Sequence, residues 1–185
     1  YQNLSNPVAP WAGAAAALVV RQGDRIVFPW GLHGWTHLYA VGATGGDAVP
    51  LTGGNFEVEH VSLAPDRASL LYSSNEGDID RRHIWRVAVG GGMPIAVTSG
   101  TGIEWAPVST ADGKAHAILH SDAKTPARPA LVVSSHGEMR DLAPESMPAR
   151  FPSNAPGTPL LSTFTSDEGL RLQGQILSRA CRIKG

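Results

Sequence analysis

The chain is short of cysteine, of charge and of long apolar runs. Its single cysteine, Cys181, excludes an internal disulfide and a cysteine-built metal cluster. Charged residues make up 17% of the 185 residues, the net charge is −1, and no long run carries one sign. That balance excludes a disordered polyelectrolyte and gives no electrostatic grip on nucleic acid. The longest apolar stretch, Ala9 to Val20, falls well below the roughly 20 residues of a membrane helix. It also lacks the positive lead of a signal peptide. Of two readings, a buried segment and the remains of something cut upstream, the sequence favours the first, ending in a strand at Ala17–Val20. Helical spacing of apolar residues is missing over any three turns.

What the chain has instead is turn residues, with 21 glycines and 14 prolines. They separate short runs rich in Val, Ile, Thr, Tyr and Trp at 25–30, 36–41, 56–63, 69–74, 83–89, 116–121 and 130–135. Such side chains suit a pleated, half-buried surface, so the fold class is all-β.

The runs repeat. His37 and His83 lie 46 residues apart, as do Thr52 and Thr98, Asp66 and Asp112, and Gly45, Gly91 and Gly137 in turn, while Asp24 and Asp66 are 42 apart. The third copy slips by one position near Leu142 and lacks the histidine. Each unit reads as four strands in about 42–46 residues, the size of one propeller blade. Asp-led turns ("APDRASLLY", "TADGKAHAIL") join two strands of each unit, where the carboxylate can bond its own backbone. Gly-rich hairpins ("ATGGDAVPLT", "VGGGMPIAVT") join two more. Trp30, Tyr39, Tyr72, Trp85 and Trp105 are expected to fill space between neighbouring sheets.

Residues 24–145 hold only about three such units, whereas closed propellers have about four to eight blades. The expected architecture is therefore a partial β-propeller: an open wedge with two apolar faces. Such faces need covering, by a second copy meeting the exposed blade edges or by more of a longer protein.

Two stretches, "LTGGNFEVE" (51–59) and "YSSNEGDIDRRHIWRV" (72–87), resemble the propeller domain of the dipeptidyl peptidase IV family, within the prolyl oligopeptidase class of serine peptidases. The resemblance extends over residues 24–177. "PLLSTFTSDEGLRLQGQIL" (159–177) looks like the hairpin by which that family leaves its propeller for an α/β-hydrolase domain. "SRACRIKG" (178–185) does not look like the family's continuation. The resemblance implies propeller blades over 1–150 and a linker plus the start of the hydrolase over 151–185. It further implies a non-catalytic piece of a serine exopeptidase that removes dipeptides from peptide N-termini, with the propeller gating the active site. The implied partners are the chain's own missing hydrolase domain and the parent's peptide substrate. The alternative is a stand-alone propeller-like module that binds a protein partner. The compartment stays open, since family members occur in the periplasm, in the cytoplasm and on membranes.

The chemistry of that family is not in the chain. No Gly-x-Ser-x-Gly elbow occurs, so no catalytic residue is assigned. The family's adjacent glutamate pair has no counterpart; Glu57 and Glu59 lie two apart on an expected strand and so share a face. The seven histidines are scattered. His116 and His120 would stand about 13 Å apart along a strand, so neither a metal nor a cofactor is expected. "VGGGMP" (89–94) lacks the Lys-Ser/Thr of a phosphate loop. One charged segment remains, with Asn75, Glu76, Asp78, Arg81 and Arg82. It reads first as a solvated loop with ion pairs of small worth, and otherwise as an interface at the propeller rim.

Overall fold

A computed structural model describes residues 18–20, 24–32, 34–133, 138–151 and 159–176. Three antiparallel four-stranded meanders follow one another. The first blade is β1 (Leu18–Val20), β2 (Arg25–Leu32), β3 (Trp35–Gly42) and β4 (Val49–Pro50). The second is β5 (Val58–Leu63), β6 (Ser69–Ser74), β7 (His83–Ala88) and β8 (Ile95–Ala96). The third is β9 (Ile103–Ser109), β10 (Ala115–Ser121), β11 (Arg128–Val133) and β12 (Met139–Asp141). A hairpin, β13 (Leu160–Thr165) and β14 (Arg171–Ile176), stands as a separate two-stranded sheet. The described residues form a partial β-propeller of three blades followed by a hairpin. Gly137 and residues 152–158 and 177–185 lie outside the described residues, as does Ala9–Ala17 of the N-terminal apolar run; its end, Leu18–Val20, pairs with β2.

The 46-residue repeat is written in hydrogen bonds. The Asp66 Oδ1 atom accepts the N–H groups of Ala68 and Ser69, both at 2.9 Å. Asp112 does the same work one repeat later, accepting from Lys114 at 3.1 Å and from the Thr110 hydroxyl. The residue after each aspartate is left-handed, Arg67 at φ 51° and Gly113 at φ 68°. The glycine hairpins recur too, with Gly45 and Gly91 at φ 99° and 94°, a region closed to most side chains. The inner strands repeat a bulge. Two residues of β5 oppose one of β6 where His60 sits at φ 49°, and the same occurs in β9 at Ala106, φ 51°.

The short outer strands are locked by threonine. Thr52 Oγ1 accepts the Leu38 N–H at 3.0 Å, and Thr98 Oγ1 accepts the Ile84 N–H at 2.8 Å. Each hydroxyl closes the third strand's ladder where a two-residue outer strand cannot. The third copy drops both residue types and moves by one: Leu142 N–H donates to Pro129 O at 2.9 Å, where Val97 donates to Ile84 O in the second. Arg128 takes the place of the histidine and pairs with Asp141 and with Ala143 O.

Two cores lie between blades. The first seam buries Val27, Leu38, Ala40, Leu51 and Phe56 against Val58, Leu70, Tyr72, Val87 and Val89. The second is thinner, with Leu71 and Ile84 against Ile118, Ala130 and Val132. The expectation for the aromatics needs correction in part. Tyr72 is fully buried and Trp85 packs on the first core. Trp30 and Tyr39, however, form a cluster with Phe28 on the opposite face of the first blade, because on β2 and β3 they alternate with Val27, Leu38 and Ala40. On the third blade Val108, Leu119 and Val133 are exposed.

Two consequences are testable. Thr52→Val keeps the shape but leaves the buried Leu38 N–H without a partner, an expected loss of about 1–3 kcal/mol in urea unfolding. Thr163→Val on the exposed hairpin should stay within about 0.5 kcal/mol. The second concerns pH. Desolvation alone would raise the Asp66 carboxyl, but hydrogen bonds from Ala68, Ser69 and Arg86 overcome it and hold it below the usual aspartate range. Its contribution is therefore present above the unfolded-state pKa and disappears as pH falls through the folded one. Asp66→Asn should flatten the acid limb of the stability–pH curve and leave the neutral limb's slope unchanged.

Candidate functional site: the rim cleft

The β6–β7 loop, residues 75–82, meets the β8–β9 connector and the β10–β11 loop at one end of the wedge. The sequence makes this loop by three local devices. Ser74 Oγ accepts the Glu76 N–H at 3.0 Å, Gly77 takes φ 83°, and Asp78 Oδ1 accepts the Asp80 N–H at 3.0 Å. Its charged residues are not a free tip. Asn75 is buried, and its Oδ1 accepts the Glu57 N–H at 2.7 Å. Arg81 pairs with Asp78 and donates from Nε to Thr101 O at 3.2 Å. Arg82 forks onto Glu59, Nε to Oε2 at 3.1 Å and Nη2 to Oε1 at 3.3 Å. Most of the loop is thus stitched to the inner strand and the connector, which sequence reasoning about exposed ion pairs could not show.

Glu57 and Glu59, two apart, serve different partners. Glu57 precedes β5, and its Oε2 accepts the Thr36 N–H of the first blade at 3.2 Å, while Glu59 serves Arg82. Glu76 is the outlier of the loop. Its Oε2 is buried and has no hydrogen-bond partner among the described residues, and the same holds for the Tyr72 hydroxyl. Burial pushes the Glu76 carboxyl up, against the pull of His37, and pushes the Tyr72 phenol up with help from the Glu76 charge. Asp78 behaves oppositely: burial would raise it, but bonds from Asp80 and Arg81 hold it low.

A cleft of about 540 Å³ lies between this rim and the C-terminal hairpin. Asp78, Asp80 and Arg81 form one wall, Thr101 and Ile103 the floor, and Asp122 and Lys124 of the β10–β11 loop a second wall. Leu161 and Gln175 of the hairpin line its remaining side. Gln173 Nε2 donates to Asp80 Oδ2 at 2.7 Å and anchors the hairpin across 93 residues of sequence. The hairpin is amphipathic. Leu161, Gln173 and Gln175 share the face turned to the rim, while Leu160, Phe164, Leu172 and Ile176 share the other, at 40–62% exposure.

Behind the floor lies a group that the repeat count did not single out. Glu104 on β9, 1% exposed, takes His83 Nδ1 at 2.6 Å, Thr98 Oγ1 at 2.9 Å and His120 Nδ1 at 3.1 Å. The signal was available, since Glu104 falls 46 residues after the apolar Val58. His116 bonds Ser109 Oγ at 3.0 Å instead, and among the described residues no three acidic, histidine or cysteine side chains converge as a cation site.

Three meanders of this kind define a propeller segment. Residues 2–127 match the family model described as the dipeptidyl peptidase IV N-terminal region, and the chain belongs to that family. A probable dipeptidyl peptidase 4 of Emericella nidulans is 41% identical over 56 residues, 30% of this chain and 7% of that protein. The crystal structure of Porphyromonas gingivalis dipeptidyl peptidase 4 superimposes with a TM-score of 0.69 at 16% identity, over 86% of this chain and 23% of that one. TolB from Acinetobacter baumannii gives a TM-score of 0.56 at 20% identity, over 87% of this chain and 43% of that one. The chain therefore spans less than half the length of each of these relatives.

The hairpin's hold on the rim is narrow. Gln173→Ala should speed proteolytic cleavage within residues 159–176 several-fold while the urea midpoint of the blades stays put, because an exposed side-chain pair adds about 0–1 kcal/mol. Unchanged cleavage would show that the Asp80 contact does not hold the hairpin.

Proposed function

We propose that the chain is the C-terminal part of the propeller of a serine-type dipeptidyl peptidase. It carries no catalytic group of its own, and its rim borders the peptide's route to a hydrolase domain. One observation carries this reading: one face of the hairpin borders the rim cleft, and the other is an exposed apolar stripe. Leu160, Phe164, Leu172 and Ile176 form an exposed stripe on a two-stranded sheet that pairs with no third strand among the described residues. A stripe of that kind on a sheet too small to be stable alone asks for a packing partner. Under this reading the partner is the hydrolase domain. The family membership and the printed name of the fungal relative support the same class.

In this role the blades act by exclusion and positioning. The cleft walls carry fixed charges of both signs, which suits passage of a zwitterionic peptide better than tight retention. The bond-breaking serine, aspartate and histidine belong to the hydrolase domain.

The test is to detect the native polypeptide with an antibody raised against this chain, and to assay the immunopurified material for dipeptide release from a chromogenic dipeptidyl substrate. The expected result is a band several times larger than 19.4 kDa, with release abolished by a serine-reactive inhibitor and none from the purified 185-residue chain. A native band near 19.4 kDa without activity would overturn the reading in favour of a stand-alone interaction module, whose copies would meet through their exposed blade faces.

A further inference from the structure

The two seams of the wedge are built on the same threonine and the same histidine, yet they differ by one buried charge. In the first seam the Thr52 hydroxyl meets His37 Nδ1 at 3.2 Å, and His37 Nε2 lies 2.9 Å from Gly54 O. A carbonyl only accepts, so Nε2 carries the proton and the Thr52 hydroxyl donates to Nδ1. Val58, buried in the apolar cluster, occupies the position 46 residues before Glu104. In the second seam that position is Glu104, and the equivalent histidine turns its Nδ1 to the carboxylate.

A carboxylate buried to 1% exposure is costly unless its lone pairs are met. Here they are met by Thr98 and His83 on Oε2 and by His120 on Oε1. A carboxylate also only accepts, so both imidazoles carry their protons on Nδ1. Thr98 Oγ1 relays the Ile84 N–H into the same group. His83 comes from β7 of the second blade and His120 from β10 of the third, so one side chain ties two blades. The connector is pressed onto the cluster. A Cβ at Gly102 would stand 2.6 Å from His120 Cε1 and 2.9 Å from Glu104 Oε1. Its neighbours Thr101 and Ile103 form the cleft floor, and Arg81 holds Thr101 O from the front.

We propose that Glu104 is the latch of the rim: one buried carboxylate that clamps an imidazole from each of two blades and thereby fixes the connector forming the floor of the cleft. It makes the cleft's shape depend on a group that no ligand in the cleft would touch. The inference is independent of the peptidase reading.

The first test needs no variant. Nitrogen-15 spectra of the chain's imidazoles at pH 8 should show His37 protonated on Nε2 but His83 and His120 on Nδ1. Nε2 protonation of both His83 and His120 would overturn the latch. The second test installs the first seam's residue. Glu104→Val should speed hydrogen exchange of the 99–103 amides by at least about tenfold, with residues 52–57 of the other seam unchanged. Unchanged exchange at 99–103 would refute a clamping role. Should that variant not fold, Glu104→Gln keeps the shape but offers a donor in place of one oxygen. It should switch one of the two imidazoles to Nε2 protonation, and retention of Nδ1 protonation on both would count against the latch.

Discussion

The backbone N–H of Leu38 and that of Ile84 each lie at a point where the outer strand of a blade is too short to continue the ladder. A threonine hydroxyl from the next turn of chain supplies the missing acceptor in both. Because that threonine is also where the chain leaves one blade for the next, the same bond closes a sheet and aims the connector. The seams, the rim and the cleft all follow from where the connectors then run. An unmet buried N–H would cost more than the bond itself contributes, so the residue type at this position is tightly constrained. In the third blade the position falls to Ala143, and the geometry is held differently, by Arg128 reaching Ala143 O.

The seams show how one repeat can be tuned without changing its frame. The first is largely apolar and broad. The second buries half as many hydrophobic side chains and adds a carboxylate with three side-chain donors. Buried charges of this kind contribute little net stability but penalise any arrangement that leaves them unmet. At the rim above the second seam, Arg81, Arg82 and Asp78 are all engaged. The hairpin adds a different feature. It is tied to this rim by the Gln173–Asp80 hydrogen bond and shows an apolar face to solvent, the pattern of an element shared between two packing units.

Much of the architecture was legible in the sequence because the repeat acts locally. An aspartate turn, a glycine hairpin and a threonine after a short strand are each set by neighbours within about 15 residues, so a 46-residue spacing between like residues predicts like structure. The all-β class and the four-strand unit were readable on those grounds, and the C-terminal hairpin from its likeness to the family's. The one-residue slip at Leu142 was also visible, and it appears as a ladder bond moved by one. The face assignment of Trp30 and Tyr39 was not, since strand alternation fixes two faces but does not say which meets a neighbour.

The charged loop at 75–82 marks the limit most clearly. Its turn chemistry is local and readable, but the partners of Asn75, Arg81 and Arg82 lie 18 to 23 residues away on another element. The same holds for Glu104, whose imidazoles come from two blades, and for Gln173, whose partner is 93 residues distant. The sequence by itself determined what repeats: strand, turn and ladder, where hydrogen bonds close over short spans. Tertiary structure alone decided which charges are buried and with whom, because burial depends on how separate blades stack.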